Sequence, residues 1–465
     1  MSTMSQALTN DFSVKLKQAL TGSSESTFIY INNFEVEEQW KQEHTLKLPS
    51  LTVGSSVELV NRMEELGVFL AGKGDYVLLK ESPDPEMMTD AKSLGFGNSL
   101  LLTMCNNAPK LNITENVLDC ESTLNRLREI ARHNTVYLVP FGVSAKEEEL
   151  SKLVGIPLAV PSADIFQKVN DKGYSRRLNR ELGIRQINGR ECSTIEELKQ
   201  GFDELSYLLE EGGTLVLKDA LGVSGKGITV IGDRQRFDKV LKMLEQQSRK
   251  KETRSINYVL EEWIDKICDL NYQFLIDRSG RVEFLCVKES LVEQGVHQGH
   301  VMPSRLTEAQ IEILQEAAES IGKAMFADGY YGMVGIDAIL DQEGRLYPNL
   351  EINARFNMST YQTNLQDQLI GQEQCGLAKK YTLTLKDYFP YPELKALLSA
   401  FIYSPQSRQG FIINNFATVN AAYKEPGSLF TGRLYGLLVA DSREALLELD
   451  ASIDHKLREW EAGVK

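Results

Sequence analysis

Three side chains in two apolar runs have the types and spacing of a magnesium site. Asp337 lies in "VGIDAIL", and Glu351 and Asn353 lie two residues apart in "NLEINARF". Residues two apart on a strand face the same way, and an antiparallel pairing across the turn "DQEG" would bring Asp337 to that face as well. Mg²⁺ takes a few carboxylates and completes its shell with water and substrate phosphates. Acids among apolar neighbours need a cation to offset their desolvation, so we expect these residues to bind Mg²⁺.

A second candidate is the glycine-rich stretch 215–230, "LVLKDALGVSGKGITV". Successive backbone N–H groups and a lysine can converge on an anion in such a loop. The stretch is not a P-loop, because Ala220 occupies the position of the first glycine and Gly227 that of the magnesium-binding hydroxyl. Strand-like residues on both sides predict a β-hairpin instead. The hairpin is either an ordinary surface turn or a loop that holds phosphate.

Further candidates for nucleotide binding lie on both sides of the hairpin. A lysine by itself is most often a solvated surface residue. The segment 258–265, "YVLEEWID", changes abruptly from apolar to polar, and could offer backbone C=O and N–H groups to an adenine edge or simply end a strand with an aromatic plug. An acid at the start of the next strand could bind ribose hydroxyls. These candidates are Lys172, Lys218, Glu261, Glu262, Trp263, Ile264 and Asp269.

Taken in order, these features resemble the ATP-grasp superfamily of carboxylate ligases. The resemblance covers about residues 160–365 and rests on Lys172, Lys218, "LGVSGKG", "LEEWI", Asp269 and the pair "GID…LEINARF". Where the family often has proline in "EINPRF", this chain has Ala354. The N-terminal part is similar to a pre-ATP-grasp domain. The whole layout most resembles the peptide ligases of natural-product biosynthesis, of the pheganomycin ligase type.

The resemblance implies a role for each candidate residue. The hairpin loop becomes a flap over the β- and γ-phosphates of ATP, in which glycines let the backbone approach and two side chains donate. These flap residues are Gly222, Ser224, Gly225, Lys226 and Gly227. Lys172 and Lys218 would hold the α- and β-phosphates, and Arg355 would steady the transferring phosphoryl group. The cofactors implied are ATP and Mg²⁺, which Mn²⁺ could replace.

The reaction implied has two steps. A substrate carboxylate attacks the γ-phosphate, which gives an acylphosphate and ADP, and an acceptor then displaces phosphate. We expect an amine acceptor, an amino-acid-like substrate and a role in antibiotic or related biosynthesis. The alternatives are a carrier-protein thiol as acceptor, or a regulator that binds nucleotide without catalysis. Four residues in segments that could line the acyl pocket are Lys288, His297, His300 and Arg305.

Alternation of strand and helix signals in the first 160 residues predicts a parallel sheet covered by helices. The expected class is α/β, with α+β character in the ATP-grasp part. The expected domains are a Rossmann-like pre-ATP-grasp domain (1–160), a lid subdomain (161–265), a catalytic subdomain (266–370) and a C-terminal α/β extension (371–465). Residues 372–400 are expected to be helical, and a homodimer is left open.

Composition limits the function classes. The 465 residues are 42% hydrophobic and 25% charged, as in ordinary globular proteins. A net charge of −14 argues against binding to nucleic acid or anionic membranes, and mildly against an acidic carrier protein. No signal-peptide core or membrane-length apolar run is present, so we expect a cytoplasmic protein. Six cysteines without a C-x-x-C pair predict buried, reduced thiols.

Overall fold

The computed structural model describes residues 12–34, 36–40, 45–48, 57–105, 108–132, 135–222, 227–293 and 296–464. The strands are β1 (Thr27–Ile31), β2 (Tyr76–Leu79), β3 (Leu100–Thr103), β4 (Val136–Pro140), β5 (Gly189–Thr194), β6 (Leu215–Asp219), β7 (Ile228–Ile231), β8 (Ser255–Glu262), β9 (Lys266–Ile276), β10 (Val282–Glu293), β11 (Val296–Met302), β12 (Gly332–Asp341), β13 (Leu346–Asn353), β14 (Cys375–Leu385), β15 (Gly410–Asn415) and β16 (Phe430–Ala440).

Helices connect and cover these strands. The α-helices are Phe12–Thr21, Val57–Val60, Gly67–Leu70, Pro85–Ser93, Ile113–Leu118, Glu121–Ala131, Ala145–Val154, Ala163–Val169, Lys172–Leu182, Ile195–Leu205, Tyr207–Glu210, Arg234–Lys251, Glu308–Ala327, Thr363–Leu369, Tyr391–Leu397 and Arg443–Val464. Short 3₁₀ helices span Val36–Gln39, Met63–Leu66 and Thr360–Gln362. None of the described helices is long and apolar enough to cross a membrane.

The N-terminal sheet is parallel, in the order β3-β2-β1-β4, which confirms the expected α/β domain. Helix Glu121–Ala131 shows why its helices pack against it. Leu124, Leu127 and Ile130 recur every three residues, so they share one helix face. All three are buried in one cluster with Leu138 of β4.

The second sheet, in the order β5-β8-β6-β7, contains the hairpin expected from the sequence. β6 and β7 pair antiparallel, with Val216 opposite Val230. Helices Ile195–Leu205 and Arg234–Lys251 cover this sheet, and their Phe202 and Phe237 rings stack at 3.7 Å.

The third sheet is antiparallel, with eight strands in the order β13-β12-β9-β10-β11-β14-β16-β15. Its presence confirms the expected α+β character of this part. The sheet runs through position 370 without interruption, since β11 pairs with β14. Strands β14, β15 and β16 therefore extend the same sheet instead of building a separate one.

The expected helix over 372–400 is wrong. This region contains β14 and only one short helix, Tyr391–Leu397. β14 pairs with β11 on one side and with β16 on the other, and Tyr381, Leu383 and Leu385 alternate into one core. Pairing on both sides with distant strands overrides the local pattern, because β structure depends strongly on its neighbours.

The N-terminal domain packs directly on the third sheet. Phe34 and Phe141 from the first domain contact Tyr361, which follows β13. The Tyr361 hydroxyl donates to Asn32 Oδ1 at 2.7 Å. The two parts thus share one apolar core, which fixes their relative placement.

The cysteine expectation is partly wrong. All six cysteines are free thiols, but Cys105 is exposed and not buried. Its Sγ lies 2.7 Å from Sγ of Cys120. Nothing in their spacing of 15 residues indicates this contact.

Candidate active site

The hairpin β12–β13 brings the three expected metal ligands together. Asp337 stands directly opposite Glu351 in the antiparallel register. The Asn353 side-chain amide donates to Asp337 Oδ2 at 3.1 Å. Since paired residues on adjacent strands share a face, the three side chains form one cluster on one side of the sheet.

Two further side chains hold the acids of this cluster. Asn271 of β9 stands opposite Asp337 and donates to its Oδ1 at 2.9 Å. Lys172 donates to Glu351 Oε1 at 2.8 Å and to the Gly222 carbonyl at 2.6 Å. Lys172 opens helix Lys172–Leu182, whose cap residue Asp171 accepts from the Tyr174 N–H. Sequence reasoning missed Asn271, although it alternates with Asp269 on one strand.

Burial and charge together determine the pKa of Asp337 in this cluster. Desolvation, and then repulsion by Glu351, raise the pKa of Asp337 to about 6, against the hydrogen bonds from Asn271 and Asn353. Bringing a cation to the two carboxylates would remove that repulsion. No group of three His, Cys, Asp or Glu side chains forms a metal site in the described part of the chain. Two carboxylates and one amide fit Mg²⁺, which keeps several waters.

Arg355 reaches the cluster from just beyond β13. Its Nη2 donates to Asn353 Oδ1 at 2.9 Å, so both polar atoms of that amide are engaged. Its Nε lies 2.6 Å from Glu37 Oε1, and its guanidinium carbon lies 5.1 Å from the centre of the Phe141 ring. Glu37 and Phe141 belong to the N-terminal domain, and no pattern in the sequence relates them to Arg355.

A small cleft opens between the N-terminal domain and the cluster. It is lined by Glu37, Trp40, Asn170, Leu221, Gly222, Glu351, Ile352, Asn353 and Arg355. The cleft therefore combines cluster acids, a guanidinium and the start of the glycine-rich loop.

The second lysine meets a different partner. Lys218 of β6 forms an ion pair with Glu261 Oε1 on the neighbouring strand β8. The other Glu261 oxygen accepts from Arg176 Nη1 at 2.9 Å, and Glu261 is buried. Arg176 did not stand out in the sequence. The carboxylate is thus enclosed by two cations on the lid side of the chain.

The segment 261–264, expected to offer backbone C=O and N–H groups to an adenine edge, uses two of its N–H groups within the protein. The Glu262 N–H donates to the Asn188 carbonyl at 2.9 Å, and the Trp263 N–H donates to the Thr214 carbonyl at 2.8 Å. Both hydrogen bonds lie at the end of β8 in the second sheet. The Trp263 ring stays 38% exposed and is available for stacking.

Ile264 and Asp269 are also engaged within the protein. Ile264 packs against a small apolar cluster that includes Ile187 and Ile339. The Asp269 carboxylate accepts from Lys266 Nζ at 2.6 Å. A ribose hydroxyl would have to share this carboxylate with Lys266.

Of the four residues suggested for an acyl pocket, Lys288 and His300 lie on the neighbouring strands β10 and β11. Lys288 pairs in register with Asn271, is fully buried and donates to the Ser359 carbonyl at 3.0 Å. Burial lowers the pKa of its ammonium group. His300 is buried in β11, and the His297 side chain lies outside the described structure.

Arg305 lies on the opposite side of the sheet, so its expected place in the pocket is wrong. It pairs with Glu289 at 3.0 Å. Glu289 follows Lys288 on β10 and therefore points to the other face. The Arg305 side chain is 65% exposed there.

Most of the expected flap falls outside the described residues. Ser224, Gly225 and Lys226 are not among them. Gly227 has a φ of 78° and its carbonyl accepts from the Asp219 N–H at 2.8 Å, while the Gly222 carbonyl accepts from Lys172. A glycine is favoured at position 227 because other residues rarely adopt this backbone conformation.

Comparisons with known protein families match two parts of the chain. A family described as "Pre ATP-grasp domain" matches residues 63–156. A family described as "Carbamoyl-phosphate synthase L chain, ATP binding domain" matches residues 171–380. The second range contains Lys172, Lys218 and the whole Asp337 cluster.

Two curated relatives are similar in sequence to parts of this chain. The butirosin acyl-carrier protein–L-glutamate ligase of Niallia circulans is 27% identical over 316 residues, which cover 67% of this chain and 68% of that protein. Biotin carboxylase 1 of Bacillus subtilis is 25% identical, and the match covers 51% of this chain and 52% of the relative.

Solved structures share the architecture along nearly the whole chain. N5-carboxyaminoimidazole ribonucleotide synthetase in its ADP complex has a TM-score of 0.53 at 14% identity, covering 93% of this chain and 97% of that chain. The biotin carboxylase of Campylobacter jejuni also has a TM-score of 0.53 at 14% identity, covering 91% and 89%. At these identities the likeness shows a common fold.

Proposed function

We propose that this chain joins a carboxylate to an amine through an acylphosphate. The chain belongs to the ATP-grasp superfamily of ATP-dependent ligases, and a pre-ATP-grasp domain precedes its ATP-grasp module. The observation that carries the proposal is the cluster of Asp337, Glu351 and Asn353, with Lys172 and Arg355 at its edges. Acids for a cation, a lysine for phosphate and a guanidinium for a transferring group meet in one place.

The residues of the cluster would hold Mg²⁺ and the ATP phosphates. Mg²⁺ bound there supplies charge neutralisation of the phosphates and alignment of the γ-phosphoryl group. Lys172 now neutralises Glu351, and it would exchange that carboxylate for a phosphate oxygen when ATP enters. Asn353 now accepts from Arg355, and it would have to release that bond to turn its oxygen to a cation. The two exchanges couple nucleotide binding to the freeing of Arg355.

Arg355 would then steady the γ-phosphoryl group as the substrate carboxylate attacks it. The products of this step are ADP and an acylphosphate, and an amine then displaces phosphate. Phosphoryl transfer needs little covalent help from the protein, so positioning and charge stabilisation carry most of the catalysis. Lys218, beside Glu261, would contribute positive charge from the lid side.

A carrier protein is the second candidate acceptor. The relative from Niallia circulans is named as a ligase that joins L-glutamate to an acyl-carrier protein. The net charge of −14 opposes docking of an acidic carrier unless a local basic surface offsets it. We therefore keep a small amine as the first candidate and an amino acid as the carboxylate substrate.

The test measures ADP release while amino acids are offered in turn with hydroxylamine, with small amines or with a carrier protein. An acylphosphate predicts hydroxamate formation in step with ADP. Release of AMP and pyrophosphate would overturn the proposed mechanism. Nucleotide binding without turnover on any combination would instead favour the regulator.

A further inference from the structure

An ion pair from the first domain holds the guanidinium of the proposed active site. Glu37 lies in the 3₁₀ helix Val36–Gln39, and its Oε1 is 2.6 Å from Nε of Arg355. The two side chains are only 6% and 10% exposed. A buried ion pair gains little net stability, because desolvation offsets much of the attraction. Arg355 Nε has no hydrogen-bond partner among the described residues, so the contact with Glu37 is one of opposite charges, which keeps the two groups beside each other.

The other contacts of Arg355 complete its restraint. Nη1 donates to the Phe356 carbonyl at 3.1 Å and Nη2 donates to Asn353 at 2.9 Å. The Phe141 ring lies beneath the guanidinium. Of these contacts, only the ion pair with Glu37 involves an opposite full charge.

The segment that carries Glu37 is itself anchored. The Trp40 N–H donates to the Glu37 carbonyl at 3.1 Å, and Trp40 Nε1 donates to the Val143 carbonyl at 2.7 Å. Gln167 donates to the Trp40 carbonyl at 2.9 Å. The segment that carries the carboxylate is thus tied by hydrogen bonds to Val143 and Gln167.

We infer that Glu37 is a positioning residue, which orients Arg355 toward the transferring phosphoryl group, so that the first domain completes the active site. The inference rests on the proposed function. It assigns to the N-terminal part of the chain a role in orienting Arg355, through Glu37 and the ring of Phe141.

The main experiment compares Glu37→Gln with the wild type. We expect kcat to fall about 10- to 100-fold, the scale of a group misplaced by about 1 Å, while KM for ATP changes little. The yield of hydroxamate per ADP should fall as well, and Glu37→Asp should recover part of it. Glu283→Gln is the matched control, because it removes another ion pair between the first domain and the third sheet, with Lys15 at 3.4 Å. The control should behave as wild type.

A double-mutant cycle separates positioning from a general loss of structure. If Glu37 acts through Arg355, adding Glu37→Gln to Arg355→Ala should cost nothing further. Additive losses, or a Glu37→Gln variant with wild-type kcat and hydroxamate yield, would overturn the inference.

A readout without turnover distinguishes this inference from the proposed function. The Nε–H NMR signal of Arg355, identified by its loss in Arg355→Lys, should move or broaden in Glu37→Gln and stay in Glu283→Gln. An unchanged signal in Glu37→Gln would overturn the positioning role. A wild-type protein that forms no hydroxamate would overturn the proposed function instead.

A second, independent feature is the thiol pair in the N-terminal domain. Cys120 is the cap residue of helix Glu121–Ala131, and Cys105 lies just after β3. Their sulfurs are 2.7 Å apart, and Ser122 Oγ lies 3.2 Å from one and 3.3 Å from the other. The Thr123 hydroxyl donates to Cys120 Sγ at 3.2 Å.

This environment favours a thiolate at Cys120. Burial raises its pKa, but hydrogen bonds from Cys105, Ser122 and Thr123 outweigh burial and lower the pKa to about 6. Thiolates, and not thiols, attack disulfides. Cys105 is exposed, so it is the sulfur that a solvent-borne reagent meets first.

We propose that Cys105 and Cys120 form a reversible disulfide with an oxidised low-molecular-weight thiol, such as glutathione disulfide, as the oxidant. The Cys105 sulfur attacks that disulfide as it loses its proton, and one small thiol leaves. The Cys120 thiolate then attacks the Cys105 sulfur and releases the second. Two protein thiols are oxidised to one disulfide, one small disulfide is reduced to two thiols, and the protons of the protein thiols end on the small thiols.

Mass spectrometry after incubation with glutathione disulfide and alkylation of the unfolded chain tests this directly. With six cysteines and two in the bridge, four alkyl groups should be found, with Cys105 linked to Cys120. A reductant should restore all six sites. Cys375→Ser should keep the bridge, whereas Cys105→Ser and Cys120→Ser should each lose it. Six alkylated cysteines in the treated wild type, or a bridge between other residues, would overturn the proposal.

Discussion

The third and second sheets hold their carboxylates in opposite ways. On the third sheet, Asp337 faces a second acid, Glu351, with Lys172 bound to only one of them. On the second sheet, Glu261 is enclosed by two cations, Lys218 and Arg176. On the third sheet, two carboxylates share one bound lysine, whereas on the second sheet two cations surround one carboxylate. We therefore expect the third-sheet acids to bind a cation and Lys218 of the second sheet to bind phosphate.

Removing an acid of the third-sheet cluster should have the largest effect on turnover. Asp337→Asn and Glu351→Gln should each lower kcat by about a thousandfold or more, since a metal ligand supplies several kcal/mol of transition-state stabilisation. ADP formation at saturating Mg²⁺ is the measurement. Glu343→Gln is the control, because Glu343 lies in the same hairpin turn with its side chain 67% exposed. Near-normal turnover of both cluster variants would remove the acids from the mechanism.

Substitutions on the second sheet should affect KM for ATP more than kcat. Lys218→Ala should raise KM for ATP, by about 10- to 100-fold for loss of a charge-assisted contact, and affect kcat less. Glu261→Gln should have a smaller effect, since it removes an acid and leaves both cations. Steady-state kinetics with ATP as the varied substrate checks the order. A larger effect of Glu261→Gln than of Lys218→Ala would contradict the assignment of Lys218 to phosphate.

Proton binding sharpens the comparison without any turnover. The pKa of Asp337 is about 6 in the folded chain, above the ordinary value, so the folded state binds this proton more tightly than the unfolded state. Stability from this group should therefore increase as pH falls through about 6 and decrease as pH rises through it. Thermal unfolding without Mg²⁺ should show this trend in the wild type, and Asp337→Asn should weaken it. An identical pH dependence in the variant would contradict the assignment.

The smallest effect is expected outside the cleft. Arg305→Gln should leave kcat and KM for ATP within about twofold of wild type, because this exposed side chain lies on the far face of the sheet. The same kinetic assay checks it. A large loss would show that the far face takes part in the reaction.

The cluster could be predicted from sequence because its geometry is local. Asp337 and Glu351 lie on two strands joined by one tight turn, so period-two alternation and antiparallel pairing bring them together. The hairpin β6–β7 follows from an equally local pattern, and the parallel N-terminal sheet follows from the alternation of strands and helices. Asn271 could have been included, since it alternates with Asp269 on β9.

The remaining features depend on contacts between distant segments. Glu37 meets Arg355 across the domain boundary, and Arg176 reaches Glu261 from another element. β14 is a strand because β11 and β16 pair with it. The Glu262 and Trp263 N–H groups are used by carbonyls of other segments, which no local pattern shows.

The proposed mechanism requires that the cluster of Asp337, Glu351 and Asn353 aligns the γ-phosphate for attack by a carboxylate. The most direct test supplies an amino acid that supports ADP release, labelled with ¹⁸O in its carboxylate, together with ATP and an amine acceptor. The account predicts one ¹⁸O atom in the released inorganic phosphate and none in nucleotide, because the carboxylate oxygen bridges to phosphorus before the amine displaces phosphate. Appearance of the ¹⁸O in AMP, with release of pyrophosphate, would contradict it.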